Sequence, residues 1–359
     1  MIAMNRRTAL IATGMAGLAT AFHRTGHANQ RRPEKIKIGQ IGVGHAHANK
    51  LAAYRESEDY EVVGIVEPDE KLRERAQSQP PFRDLRWMTQ EQLLNEKGLQ
   101  AVLVETRVRD LLNTAEACVT AGKHVHVDKP AGESLPQLKR IFQVAKQKKL
   151  LVQMGYMFRY NPAVVLLRDV LKKGWLGDVF EVHAVMSKVV DDAGRKEMGE
   201  YPGGIMFELG CHVLDSVIKI LGKPDDVVGY NQQVAKIEDK LVDNMLAVLR
   251  YPKAIATVKA SAQEVDGFAR RHLVVCGDKG TFHIQPLDAP AAKVTFTEPH
   301  GQFKAGYQDV TFPKYTRYVD DAADMAKVIR GEKEFEFSPE HDLTVQETLL
   351  RACGLPTTD

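Results

Sequence analysis

Three short segments carry residue types and spacings that can do chemistry. In "IGVGHAHANK" (41–50), Gly42 and Gly44 stand as the first two glycines of a G-x-G-x-x-G turn, and His47 takes the place of the third. Between a strand and a helix, such a turn lets the chain reverse at the first glycine and lets the backbone approach a pyrophosphate at the second. The third glycine serves mainly helix–strand packing, so His47 predicts a helix pushed slightly outward with phosphate binding kept. His45 and His47 both lie within reach of a bound dinucleotide. Glu67 ends the next strand, 25 residues after Gly42. An acid there accepts hydrogen bonds from an adenosine ribose diol and repels a 2′-phosphate, which favours NAD over NADP and leaves NADP possible. The bland alternative is a solvated acid at a strand end. The second segment is "HVHVDKP", where Lys129 precedes Pro130. A lysine at the carboxyl end of a parallel strand faces the crevice where ligands bind. In the third segment, Glu208 and His212 are i,i+4 neighbours with Asp215 further along the same stripe. An imidazole suits proton exchange near neutral pH, although any amphipathic helix carries a polar stripe of this kind.

The elements that must position these groups alternate in the first half. Strands are read at 35–43, 60–68, 99–106, around 124–128 and at the start of 150–156, with helices between them. The run "LQAVLVET" lacks polar alternation, as expected of a parallel strand buried on both faces. Thr89 reads as a helix N-cap and Gly122 as a helix stop. Repeated βα units of this type predict a doubly wound parallel sheet. After residue 156, a helix ending at Gly174 is followed by strand-like runs with short turns, predicting a mostly antiparallel sheet, and by helices near 317–330 and 340–353. The fold class is therefore α/β. An N-terminal Rossmann domain is placed at 33–155 and a C-terminal α/β domain with a large open antiparallel sheet at 156–359.

Composition bounds the rest. With 359 residues, 44% apolar, 27% charged and a net charge of +2, the chain reads as a globular protein of two domains. It has no basic stripe with interleaved aromatics, so no nucleic-acid partner is expected. Cys118, Cys211, Cys276 and Cys353 are scattered in apolar stretches and predict no disulfide. His124 and His126 share one side of a strand but lack further ligands nearby, so no metal is expected. Residues 1–28 read as a secretory leader: Arg6 and Arg7, an apolar run of about 15 residues, too short for the ~20 of a membrane span, and a small-residue end with cleavage after Ala28. The paired arginines resemble a twin-arginine export signal, although Asn5 and Ala9 depart from it. A periplasmic or otherwise exported location is expected, with no membrane contact once the leader is removed. A cytoplasmic location follows if the leader does not function.

"GKHVHVDKPAGES", "MGYMFRYNP", "GGIMFELGCHVLD" and "SPEHDLTVQETLLRACG", in that order, resemble the Gfo/Idh/MocA oxidoreductases from about residue 35 to 355. The resemblance implies a site in the cleft between the domains and association into dimers or tetramers through the C-terminal sheet. It further implies hydride transfer at a hydroxyl carbon of a sugar, cyclitol or related polyol. Lys129 matches the family's catalytic lysine and His212 its general base, with Glu208 where the family has Asp and Asp128 where it has Glu. Thr106 is kept in the fourth-strand segment, where it implies a cofactor contact. Arg107 replaces Pro and Leu111 replaces His, so Arg107 or Arg109 faces either a charged substrate group or solvent. Tyr156 and Arg159, at the domain junction, and Asp215 complete the expected substrate-side set, Asp215 doubling as a residue that orients its helix. The polar loop 191–204 reads as one wall of the substrate pocket.

Export would require the cofactor to travel with the folded enzyme. A dissociation constant near 1 μM, about 8 kcal/mol, loses it by dilution, whereas retention asks for about 12 kcal/mol. A redox-neutral cycle then becomes attractive. Such a cycle either exchanges hydride between two sugars, or oxidises a glycoside transiently, eliminates its aglycone and reduces the product. The reading from another class is a non-catalytic sensor of nicotinamide or sugar.

Overall fold

The computed structural model describes residues 2–3 and 33–358; the leader expected at 1–28 lies, apart from Ile2–Ala3, outside the described residues. Two sheets organise the chain. The first is parallel, in the order β3 (Tyr60–Val66), β2 (Ile36–Ile41), β4 (Leu99–Val104), β5 (His124–Val127), β6 (Val152–Met154). Five of the six β4 residues are buried, as the uninterrupted apolar run requires. Strand order reverses at β2, whose two neighbours are β3 and β4, and a crevice at the carboxyl ends follows from that reversal. Gly42, Glu67, Glu105, Asp128 and Gly155 are the residues that leave these strands at that edge.

The connecting helices start where their chemistry allows. Thr89 and Gln92 exchange side-chain and backbone hydrogen bonds in a capping box at the Gln90–Leu94 helix. Ser134 caps Leu135–Lys148, with Pro136 in its first turn. Gly122 follows the Val108–Thr120 helix at φ 76°, the left-handed conformation that glycine adopts without strain. The segment "LRWM" (85–88), whose apolar run also suggests a strand, forms an isolated bridge, Trp87 to Ile65.

The second sheet runs β1 (Ile2–Ala3), β14 (Gly306–Thr311), β13 (Ala291–Phe296), β12 (Gly280–Ile284), β11 (His272–Gly277), β7 (Val179–Val185), β10 (Ile255–Ser261), β9 (Asn244–Arg250), β8 (Asp226–Gln232). All pairs are antiparallel except β1–β14 and β7–β10. Alternation sorts its faces: Val182, Ala184, Ala256, Val258, Leu273 and Val275 are buried, while Glu181, His183, Ile255 and Thr257 are not. The covered face packs against Pro162–Lys172, Cys211–Leu221 and Pro339–Ala352. The Val319–Ile329 helix returns to the first sheet, where Ala322, Met325 and Ala326 join Ile36, Ile38, Tyr54 and Tyr60 in one core, and the Tyr60 hydroxyl donates to the Ala322 carbonyl at 2.7 Å. Among the described residues, no helix is long and apolar enough to cross a membrane.

Candidate active site

The turn after β2 is built for a bound anion. Gly42 has φ 95°, and a Cβ there would lie 2.4 Å from the Thr106 nitrogen, so glycine is required both by conformation and by the strand end beside it. The N–H groups of Gly44 and Ala46 have no protein acceptor among the described residues, and the buried Thr106 Oγ1 has no partner either. The helix that follows is short: a 3₁₀ turn, Ala48–Lys50, then Leu51–Glu56. Anion binding therefore falls to the N–H groups of the turn more than to a long helix dipole. The Glu67 carboxylate accepts the Val43 N–H through Oε2 and the Asp69 N–H through Oε1, both at 2.9 Å, which fixes it between the turn and β3 where a ribose diol would sit. These groups fit a dinucleotide.

His47 does not act as a spacer. Its side chain turns away from the helix–strand contact and into the cleft, with Nδ1 3.2 Å from Asp128 Oδ1 and its ring 5.8 Å from that of His212. His45 is consumed inside the turn: Nε2 pairs with the Lys129 carbonyl at 3.0 Å, and Nδ1 accepts the His47 N–H at 3.2 Å. It ties the turn to the lysine-bearing segment, and Nδ1 also lies 3.2 Å from Asp128 Oδ2. Arg107 lies beside Gly44 with its guanidinium 3.6 Å from Asp69, and Arg109 is half-exposed between Asp110 and Glu200.

Lys129 is buried and its ammonium is held by a single residue. It donates to the Glu208 carboxylate at 2.6 Å and to the Glu208 carbonyl at 3.0 Å. Tyr201, from the loop read as a pocket wall, donates to the other Glu208 oxygen at 2.8 Å. Burial opposes both charges, but each holds the other: Glu208 raises the Lys129 ammonium above its ordinary value, and Lys129 lowers the Glu208 carboxyl. Two of the three ammonium hydrogens are thus committed, and the third remains for a substrate oxygen. His212, on the next helix, is buried with Nδ1 unpartnered. Burial, reinforced by Lys129, pushes its pKa well below 6.5, so the imidazole is neutral and able to accept a proton. Residues Met206–Gly210 form a π-helical turn ahead of Cys211–Leu221, a feature frequent at functional sites. The regular i,i+4 stripe of the sequence is broken there: Glu208 turns to Lys129, while Asp215 faces the other way.

Arg159 and Asp215, read as substrate-side residues, are paired with each other. Arg159 Nη2 lies 2.7 Å from Asp215 and also contacts Asp342, and its guanidinium stacks 4.0 Å over the Phe337 ring. Asp215 further accepts from His341 at 2.9 Å. This buried network clamps the His212 helix to the Pro339–Ala352 helix. Tyr156 bridges the two clusters, its ring 4.9 Å from the Arg159 guanidinium and 6.4 Å from the His212 ring.

A second buried network lies beneath the turn. Lys50 Nζ is 2.7 Å from Asp128, 2.9 Å from Glu105 and 2.9 Å from His126 Nε2. Burial opposes ionisation of Asp128, but His45, Lys50 and His47 hold it well below the usual carboxylate range. Burial and Asp128 push the Glu105 carboxyl well up, against the pull of Lys50. The sequence reading missed Lys50, Glu105, Tyr201 and Asp342, and weighed His126 only as a metal ligand.

Comparison with known proteins agrees with this fold. Residues 36–156 match the oxidoreductase family with an NAD-binding Rossmann fold, and residues 164–283 match the GFO/IDH/MocA C-terminal domain. The chain is 29% identical over 198 residues to the uncharacterized oxidoreductase YhhX of Escherichia coli, an alignment spanning 55% of this chain and 56% of that relative. It is 24% identical over 309 residues to the myo-inositol 2-dehydrogenase of Thermotoga maritima, covering 82% of this chain and 89% of the relative. An oxidoreductase from Agrobacterium radiobacter, solved in complex with NAD+, L-tartaric acid and magnesium, superposes with a TM-score of 0.76 at 18% identity over 89% of this chain and 97% of its own. With both halves matched in order around one cleft, the chain belongs to the Gfo/Idh/MocA family of NAD-binding oxidoreductases.

Proposed function

We propose that the protein transfers hydride between a secondary hydroxyl carbon of a sugar, cyclitol or related polyol and a tightly held NAD. The observation that carries this reading lies at the carboxyl edge of the parallel sheet: Lys129, a buried ammonium, donates its backbone N–H to Asp128, which also holds His47, and the His47 ring is 5.8 Å from that of His212, a neutral imidazole. Gly42, Gly44, Thr106 and Glu67 would hold the dinucleotide, which when bound supplies the hydride acceptor. Lys129 donates its remaining hydrogen to the reacting oxygen and favours the alkoxide as it forms. His212 takes the proton, a role typically worth ~10²–10⁴-fold in rate. Glu208 and Tyr201 keep the ammonium charged and in place, and the Arg159–Asp215–Asp342 network holds the His212 helix. Tyr156 closes the wall between them. NAD is favoured over NADP because the Glu67 carboxylate would face a 2′-phosphate. Export through the paired-arginine leader belongs to the same proposal: a protein loaded before export must keep its cofactor.

The test is to purify the protein, denature it and identify the released nucleotide by absorbance and mass. Polyols are then screened for reduction of the bound nicotinamide in wild type and Lys129→Ala. Released NAD and a reduction lost in the variant are expected. Turnover unchanged by Lys129→Ala overturns the site, and a protein that neither carries nor binds nicotinamide overturns the reading.

A further inference from the structure

Hydride transfer needs one proton acceptor and one hydrogen-bond donor at the reacting oxygen, and His212 with Lys129 supply both. The cleft holds a further imidazole with an orienting carboxylate of its own. His47 enters from the turn of the parallel sheet, and its Nδ1 is 3.2 Å from Asp128 Oδ1. Its ring faces His212 at 5.8 Å and Tyr318 at 6.1 Å, both borne by the C-terminal half. Asp128 is wholly buried and is also gripped by Lys50 at 2.7 Å and by the Lys129 N–H at 2.7 Å, so it cannot turn away. A carboxylate accepting from Nδ1–H fixes the tautomer and leaves the Nε2 lone pair free. That Nε2 has no hydrogen-bond partner among the described residues.

We propose that His47, oriented by Asp128, is a second general base, which removes a proton from the carbon adjacent to the one oxidised. The proposal rests on the hydride-transfer reading above and extends it to substrates that are enolised, above all glycosides or alkoxy-substituted cyclitols. Once the carbinol carbon has given up its hydride and its O–H proton it is a ketone, and the neighbouring C–H is acidified. That C–H bond breaks, N–H forms at Nε2, and the electron pair moves to the ketone oxygen, where the Lys129 ammonium stabilises the enolate. Where the next carbon bears an alkoxy group, the carbonyl re-forms, the C–O bond breaks, and His47 returns its proton to the departing oxygen. Addition of water to the resulting enone and return of the hydride complete a hydrolysis with no net redox change. Burial holds the His47 pKa at about 4 against the pull of Asp128, so the base is unprotonated at neutral pH.

The experiment incubates the NAD-loaded protein with myo-inositol and with methyl β-glucoside in D2O. It reads reduction of the bound nicotinamide by absorbance and deuterium at the carbons flanking the reacting one by NMR. Wild type is expected to do both. In His47→Asn, whose amide nitrogen can replace Nδ1 toward Asp128 but offers no base, the ratio of exchange to nicotinamide reduction is expected to fall by ~10²-fold or more. Nitrogen NMR of His47 in the holoenzyme is expected to show the Nδ1–H tautomer. Reduction without deuterium in wild type overturns the second base while leaving hydride transfer intact, as does a variant in which exchange and reduction fall in proportion. Absence of nicotinamide reduction with both probes counts against the hydride-transfer reading and, with it, this one.

Discussion

Lys129 gives two of its three ammonium hydrogens to one residue, the side chain and the main chain of Glu208, at 2.6 and 3.0 Å. The carbonyl it reaches belongs to a π-helical turn, in which the wider i→i+5 spacing loosens the carbonyls from their usual partners. The lysine therefore acts as a fixed donor. Its charge is stabilised by a partner that is itself held by Tyr201, and its position is set by the turn that leads into the His212 helix.

This arrangement predicts the effect of Glu208→Gln. The amide keeps a hydrogen-bond acceptor near Nζ and loses the charge. Burial then lowers the Lys129 pKa without its main opposing term, so the ammonium deprotonates at lower pH than in wild type. The alkaline limb of the kcat profile is expected to move down by one or more pH units, with kcat at neutral pH reduced ~10-fold or more. A pH–rate series on both proteins checks it, and an unmoved alkaline limb would show that Glu208 does not set the lysine's charge.

The network beneath the turn makes a prediction about acid. His126 is buried against Lys50 and Gln153, and burial followed by the Lys50 charge lowers its pKa to about 3. The unfolded chain takes up a proton here below pH ~6.5 that the folded chain refuses. The stabilisation is therefore present above pH ~6.5 and is lost as the pH falls toward the folded value, at about 1.4 kcal/mol per pH unit. Total stability does not isolate this effect, because Glu105 and Asp321 are both raised by burial, the latter to about 7, and so carry the opposite sign. The difference between wild type and His126→Asn does. By urea unfolding, wild type is expected to lose about 2 kcal/mol relative to the variant between pH 6.5 and 5. A difference that stays constant with pH would mean His126 is not held neutral.

Much of this was legible because local chemistry decides it. The apolar run at 99–104, the Thr89 capping box and the left-handed positions at Gly42 and Gly122 follow from the nearest few residues. The position of Lys129 just past a strand end was readable in the same way. The pairing of Lys50, Glu105 and His126 was not readable, since a charge becomes a buried partner only when two strands and a 3₁₀ turn, up to 78 residues apart, converge. The pairing of Arg159 with Asp215 was hidden for the same reason: their further partners Asp342 and His341 arrive from the last helix. Nor does any helical period foretell the π-turn that separates Glu208 from Asp215.

The two glycines of the turn should separate fold from cofactor. At Gly42, alanine meets both a positive φ and a Cβ contact of 2.4 Å with backbone, neither of which a side-chain shift relieves. Gly42→Ala is expected to cost roughly 3 kcal/mol or more and to reduce bound NAD as the turn rearranges. At Gly44, the backbone is not in the left-handed region, and a Cβ would press on the Arg107 and Leu72 side chains, at 3.2 and 3.3 Å, with the Arg107 nitrogen at an ordinary 3.8 Å. Those chains can yield by a few tenths of an ångström, so Gly44→Ala is expected to unfold within about 1 kcal/mol of wild type. Its methyl would nevertheless stand where a pyrophosphate must approach the free N–H groups of the turn, and bound NAD should fall at least ~10-fold. Urea unfolding paired with nucleotide content after denaturation measures both quantities. A Gly44→Ala protein that keeps its full nucleotide would move the phosphate site away from this turn, even if Gly42→Ala behaves as described.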